Sequence, residues 1–426
     1  MWRKDSIIGL STKGQPHPRR ICDRMKHRFP GLFFGFLFSI FVRAQTASTV
    51  TVYFDSAHLQ NSFVPLQALG VGVDGHEKGE IDRMLKPPNI KAMVSVGFKP
   101  VTYRLRTELA NEVWHWNPRG RWSDEKHKRG YWVSSTDTNS FISLSYGYRL
   151  PRRGNTMDQA NNDGYSRITD GDKKTFWKSN PYLDAYFTGE PNAKHPQWVI
   201  VDLGREMPVN AIKILWGEPF AASFAVDYCL PFAYGYFDNA GYFEIDSPTV
   251  WKPFPFSNFT NKKNGPQLVR LADEPVTARF LRIRMTEGSY KAAKGFRDVR
   301  DALGYAINEL YVGRTDGAKF RDFLYHSANA KTQSKVYVSS TDPWHQRTDI
   351  DTLTEQVGID RFFRSGITSS TPALLSAGLL YDTPENVTGF LDYVANKGYP
   401  LAGLELGEEP DGQMVNAADF AELYRQ

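Results

Sequence analysis

The chain has 426 residues, 41% hydrophobic, 14% aromatic and 23% charged, with a formal net charge of +5. This is a globular composition with length for two or three domains. Much of the positive excess lies near the N-terminus, in Arg3, Lys4, Lys13, Arg19, Arg20, Arg24, Lys26 and Arg28, so it gives no reason to expect a nucleic-acid partner.

The first segment reads as an export signal. A basic run ends at Arg28, an apolar run covers residues 31–42, and Val42-Arg43-Ala44 lies close to a small-x-small cleavage site. The apolar run is short for a bilayer span, which takes about 20 residues. An uncleaved membrane anchor is the alternative. The expected location is secreted, periplasmic or at the cell surface, with no stable membrane insertion after cleavage. Cleavage would remove Cys22 and leave Cys229 alone, which excludes an intrachain disulfide in the mature chain.

Residues 50–54 and 68–74 then read as strands, 89–97 as a short helix ended by glycine, and 100–106 as a strand, giving a βαβ unit. Arg104 and Arg106 lie at the end of that last strand. Trp114, Trp116 and Trp122 cluster in a polar stretch, where they serve either packing or a sugar platform. From about Val133 the βαβ rhythm stops, and short strands separated by Gly, Asn, Asp and Pro turns suggest an antiparallel β-sandwich.

Four stretches give that sandwich a likeness. They are Arg167-Ile-Thr-Asp-Gly-Asp-Lys-Lys-Thr-Phe-Trp177, Gln197-Trp-Val-Ile-Val-Asp-Leu-Gly204, Ala278-Arg-Phe-Leu-Arg-Ile-Arg284 and Gly304-Tyr-Ala-Ile-Asn-Glu-Leu-Tyr-Val-Gly313. In this order they resemble the discoidin-like, or coagulation-factor type C, family and its carbohydrate-binding relatives. The resemblance implies a jelly-roll sandwich that binds a polysaccharide or other glycan through loops at one end. Trp216 and Tyr236, in the stretches 216–220 and 232–236, are the candidates for those loops. The resemblance also implies a structural calcium ion held by Asp170, Asp172, Thr175 and Glu309. Calcium takes six to eight hard oxygens. The alternative is an Asp-Gly turn whose side chains cap the backbone. No organic cofactor is expected.

After Gly313 the helical rhythm returns. Residues 320–325 read as a helix or an extended connector, 353–363 as a helix leading into a loop, and 372–381 as a buried strand region. Residues 383–395 form a helix with a threonine cap, proline at its first position, and Val387, Phe390, Leu391 and Val394 on one face. A strand at 401–406 runs into Gly407-Glu408-Glu409-Pro410, and a last helix begins at Ala417.

The strand and its Glu-Glu-Pro turn resemble the fourth barrel strand of clan A retaining glycoside hydrolases. That resemblance implies Glu409 as general acid/base, with Glu408 where the family carries asparagine, and Arg104 holding a carboxylate ionised. The expected fold is therefore multidomain, α/β plus all-β: a partial (β/α)8 barrel interrupted by an antiparallel β-sandwich. Its expected parts are 1–44 signal peptide, 45–132 first barrel part, 133–315 discoidin-like sandwich and 316–426 barrel continuation after which the chain stops. A full barrel takes about 250 residues. The seventh strand, which carries the nucleophile in that family, is not reached. The functional expectation is a secreted glycoside hydrolase with an appended carbohydrate-binding sandwich, truncated before its nucleophile. The alternative is a non-catalytic carbohydrate-binding or adhesion protein acting through the sandwich. Val-Ser-Ser-Thr-Asp occurs at both 133–137 and 338–342.

Overall fold

Most of the apolar side chains in the middle of the chain close between two antiparallel sheets. The structure, a computed structural model, describes residues 70–73, 76–97, 101–103, 112–149, 165–229, 251–351, 353–407 and 415–426. One sheet runs Gly265–Arg270, Ala211–Trp216, Ala306–Asp316, Lys319–Asp322, with Trp177–Lys178 also paired to Ala306–Asp316. The other runs Lys252–Thr260, Ala221–Cys229, Val276–Gly288, Gln197–Val209, Val336–Val338. Alternation along the strands explains the closure: in Ala211–Trp216, Ile212, Ile214 and Trp216 are buried, while Lys213 and Leu215 lie on the other face, half-buried. Ile212, Ile214, Phe224, Val226, Ile283 and Leu310 meet in the resulting core.

The sandwich runs past the boundary expected at 315. Lys319–Asp322 pairs back onto Ala306–Asp316, and Val336–Val338 pairs with Val199–Val201. The 320–325 stretch is therefore extended rather than helical. The expected start at 133 is also displaced. Arg129–Val133 pairs with Arg121–Asp124 and His345–Gln346, and Leu144–Arg149 pairs with Glu112–His115 and Thr354–Val357, in small sheets outside the sandwich. Those pairings also replace the helix expected to begin at Leu353, which starts only at Ile359.

A separate sheet has four strands, Val71–Val73, Val101–Tyr103, Ala373–Ala377 and Leu401–Leu406, all parallel and in chain order. The whole sandwich lies in sequence between its second and third strands. The Pro384–Asn396 helix covers this sheet. Thr383 accepts from Asn386 N–H at 3.2 Å and Pro384 sits in its first turn. Asn386, Gly389, Phe390, Tyr393 and Val394 are its buried positions, and Phe390, Tyr393 and Val394 join Tyr103, Phe362 and Leu375 in one core. Gly398, at φ 67°, takes the left-handed turn that ends it.

Polar contacts tie the sandwich to the segment that follows it and to the last helix. Lys178 Nζ lies 3.1 Å from Asp342 in the interior. Ser339 and Ser340 hydroxyls donate to Gln197 Oε1 at 2.8 and 2.6 Å. Asp419, on the Ala417–Arg425 helix, meets His195 at 2.8 Å and accepts from Gln197 Nε2 at 3.1 Å. The two Val-Ser-Ser-Thr-Asp copies differ in role: Ser134 donates to Asn386, whereas Ser339 and Ser340 hold Gln197.

Of the tryptophans read as lying in a polar loop, Trp116 and Trp122 sit on or beside short strands with their rings inward. His115 stacks on Trp132 at 3.7 Å and on Tyr148 at 3.9 Å, with Trp122 and His345 closing the box. Burial lowers His115 well below the usual imidazole range, helped by His345, and pushes His345 down to about 3 against the backbone bond to Pro343. The expected signal, the strand at 50–54 and Arg104 and Arg106 lie outside the described residues. Among the described residues no helix is long and apolar enough to cross a membrane.

Both histidines are neutral in the fold and ionise more readily once unfolded. Stability is therefore complete above the unfolded value and falls as pH drops below about 6.5, continuing towards about 3 for His345. Urea unfolding across that range measures the slope, and His345→Phe should flatten it. A level profile with both histidines present would contradict their burial as a neutral pair.

Candidate functional site

The loops at one end of the sandwich expose aromatic rings on a rigid frame. The segment between Trp177–Lys178 and Gln197–Val209 carries a short helix, Ala185–Thr188, whose cap Asp184 accepts from Tyr186 N–H at 3.0 Å. Asn192 closes this segment. Its Oδ1 accepts from Ala185 N–H at 2.6 Å, and its Nδ2 donates to Asp184 at 3.0 Å and to the Tyr290 hydroxyl at 3.3 Å. Tyr290 arrives from the loop after Val276–Gly288, which Ser289 clamps by paired bonds to the Phe220 backbone at 2.9 and 3.1 Å. Tyr186 is 63% exposed and Tyr290 51% exposed. Tyr186 is braced edge-on by Phe187 at 4.9 Å. Tyr290 has φ 55°, a left-handed backbone that a bulky side chain rarely adopts. Burial and the Asp184 carboxylate push its phenol up, so the ring keeps its hydroxyl proton at neutral pH.

The Asp-Gly-Asp loop stands beside the closing strand Ala306–Asp316. Asp170 accepts from Asp172 N–H at 2.9 Å through Oδ1 and from the Thr175 hydroxyl at 2.7 Å through Oδ2. Asp172 accepts from Lys174 N–H at 2.9 Å. Glu309 is fully buried, with Oε1 accepting from Gly171 N–H at 2.5 Å and Oε2 facing His326 Nδ1 at 2.9 Å. His326 Nε2 lies 2.8 Å from Asp322. Asn308 Nδ2 donates to the Lys173 and Thr175 carbonyls at 3.0 and 3.1 Å. The four residues Asp170, Asp172, Thr175 and Glu309 are thus brought together, with the Asx turns that the alternative reading described.

The expected sugar-stacking residues divide differently. Trp116 is 1% exposed and packs on Phe390 and Tyr393 at 5.4 and 5.2 Å, so its faces are taken. Trp216 is 2% exposed, donates to Gln267 at 2.8 Å and packs on Phe224 at 5.2 Å. Neither ring can stack on a ligand, because burial is what fixes it. Trp114 lies on the Glu112–His115 strand, and its side chain is outside the described residues, as are Tyr236, Arg104, Glu408 and Glu409. Register sets Leu375 beside Tyr103 and Ala377 beside Leu406, so the described ends of three parallel strands share an edge.

Tyr186, Tyr290, Asn192, Asn308 and His326 were not singled out in the sequence. Gly288-Ser289 before Tyr290 and the position of Asn308 next to Glu309 were the available signals. An open groove of about 590 Å3 lies between Arg121, Tyr182, Glu385, Asp392 and Arg425. Its tyrosine is spent on Glu385 and Arg300, at 2.8 Å each.

Residues 154–296 match the F5/8 type C domain, and this part of the chain is a discoidin-like domain of that family. No curated protein matches the chain. Among solved structures, chitosan-binding module 1 of a chitosanase/glucanase from Paenibacillus sp. IK-5 is 22% identical, with a TM-score of 0.23 over 36% of this chain and 87% of that one. The CpGH89CBM32-6 module produced by Clostridium perfringens is 14% identical, with a TM-score of 0.24 over 37% of this chain and 91% of that one. The F5/8 type C domain of a Bacteroides fragilis protein is 14% identical, with a TM-score of 0.21 over 34% of this chain and 76% of that one.

Because asparagine tolerates left-handed backbone, Tyr290→Asn should leave the unfolding free energy unchanged or raise it by up to about 1 kcal/mol. A loss of more than about 1 kcal/mol in denaturant unfolding would show that the ring serves stability rather than display.

Proposed function

We propose that this is an extracellular glycan-binding protein whose F5/8 type C domain does the binding, through Tyr186 and Tyr290. The observation that carries this reading is the exposed tyrosine at a left-handed backbone position, bonded to the Asn192 that also orders the loop of a second exposed tyrosine. Sugars present apolar C–H faces and rings of hydroxyls. A tyrosine offers an apolar face with a polar tip and loses little conformational freedom on binding. Asn192 and Asp184 are buried and hold the loop in place, and the exposed Lys291, next in sequence to Tyr290, supplies a positive charge. The family match supports a domain whose loops face a ligand, and export through the N-terminal segment suits a glycan target.

Tyr186→Ala and Tyr290→Ala should each weaken binding to a responsive polysaccharide about tenfold in affinity electrophoresis, which corresponds to about 1.4 kcal/mol. Binding to a glycan panel that neither substitution changes would remove the two rings from the site.

A second reading is favoured by the four parallel strands in chain order with helices between them. These support the first half of a (β/α)8 barrel in which chemistry gathers beyond the C-terminal strand ends. Arg104, Glu408 and Glu409 follow those ends in sequence. Glu409 would then protonate a leaving glycosidic oxygen and later activate water, with Glu408 or a residue on another segment as the second carboxylate. On this reading Glu409→Gln cuts glycoside hydrolysis by about 100-fold or more with glycan binding intact. Equal hydrolysis by the two forms would exclude it.

A further inference from the structure

The end of the sandwich that displays Tyr290 is one-sided in charge. Three strands of one sheet finish there together, because register pairs Thr260 with Ser223, Ser223 with Glu287 and Ala221 with Gly288. The loop after Thr260 is held on this end by two bonds. Asn261 N–H donates to the Ala222 carbonyl at 2.9 Å, and Asn264 Nδ2 donates to Glu218 Oε1 at 3.1 Å. Neighbouring strands lie about 4.8 Å apart, so Thr260 stands about 10 Å from the strand end that leads into Tyr290.

Lys262 and Lys263 follow Asn261, and Lys291 and Lys294 follow Tyr290. Neither loop, 261–264 or 289–295, contains an Asp or a Glu. All four lysines are exposed, and among the described residues none of them is in an ion pair. Lys291 Nζ lies 5.6 Å from the centre of the Phe220 ring, and Ser289 clamps the Phe220 backbone, which keeps this ammonium group beside Tyr290. The nearby carboxylates are largely engaged. Asp184 is buried against Tyr186 N–H and Asn192, Glu190 faces Lys194 and His195 at 2.9 and 3.2 Å, and Glu218 holds Asn264. Glu287 is exposed, one carboxylate against four ammonium groups.

A neutral sugar gains nothing from such a rim. Like charges gathered at one end repel one another, and an anionic ligand relieves that repulsion while it is attracted. The screening length at physiological salt is about 8 Å, so charges on loops this close still act on a ligand resting on Tyr290. We infer that the ligand is an acidic glycan, one that carries carboxylates or sulfates on its sugar rings. The inference rests on the glycan proposal and adds its charge: the tyrosines meet the ring faces, and Lys262, Lys263 and Lys291 meet the anions.

Polymers that share a backbone and differ in charge test it on the full chain. Polygalacturonate is compared with its methyl ester, and dextran sulfate with dextran. Titration calorimetry should show an acidic polymer bound about tenfold more tightly than its neutral partner, and the pair that shows the preference distinguishes carboxylate from sulfate. The preference should shrink in 1 M salt, where the screening length is about 3 Å. Lys262→Gln combined with Lys263→Gln should narrow it about fivefold. Tyr290→Ala should weaken the acidic polymer about tenfold. Equal affinity for acidic and neutral polymers, both weakened by Tyr290→Ala, overturns the acidic assignment and leaves the glycan proposal intact. Acidic binding that survives Tyr290→Ala, or that phosphatidylserine vesicles match, also overturns it, since the lysines then hold any polyanion or a membrane surface. Binding to none of the four polymers overturns it as well, and the glycan proposal falls with it only if a wider glycan panel also fails.

Discussion

Everything else in the fold depends on the place where the insert leaves and rejoins the parallel layer. The chain departs after Tyr103 and returns only at Ala373, so the two ends of the excursion have to be pinned. The pin is buried and polar. Lys178 and Asp342 pair in the interior, and Gln197 takes both Ser339 and Ser340 while reaching Asp419. A buried ion pair gains little over a well-packed apolar pair, but losing one partner strands the other at a cost of about 3–5 kcal/mol. Moving Asp342 away would strand Lys178 in the interior. The sandwich core and the helix over the parallel sheet form separate clusters, and Asn180 on the Leu380 carbonyl and Tyr182 and Arg300 on Glu385 join the insert to that helix.

The aromatic residues show how burial and display are separated. Trp116, Trp177 and Trp216 are almost wholly enclosed. A large ring gains most by leaving water, and each of these indoles has found a partner for its N–H in the interior. Tyr186 and Tyr290 go the other way. Their rings stay in water and their backbones are fixed by Asp184, Asn192 and Ser289. An exposed ring on a rigid backbone gives up stability to the protein and saves ordering entropy when a ligand arrives.

Much of this was readable in the sequence wherever local chemistry decides structure. Thr383, Pro384 and Gly398 bound a helix whose buried face repeats at helical spacing, and the strand at 401–406 begins and ends as its apolar run does. The sandwich could be read because its four stretches recur in order. The extended 319–322 segment was not readable, because only pairing with the Ala306–Asp316 strand selects it over a helix. The tryptophans near 114–122 were placed in a loop because their strands are four or five residues long and pair across distant segments. At Tyr290, Gly288-Ser289 marks a turn, but the left-handed backbone beside the Ser289 clamp on Phe220 is not written in the local sequence. For His326, the decisive partners Glu309 and Asp322 lie 17 and 4 residues away, and only the closing strand brings them to one ring.

Glycan recognition at the loop end is tested most directly by hydrogen–deuterium exchange of the whole chain with and without a bound oligosaccharide. If the two tyrosines form the site, protection rises in the backbone around residues 184–192 and 288–292 and leaves the parallel layer unchanged. Protection confined to the groove by Arg121 and Asp392, or to the strands of the sandwich away from these loops, would place the ligand elsewhere and contradict the assignment.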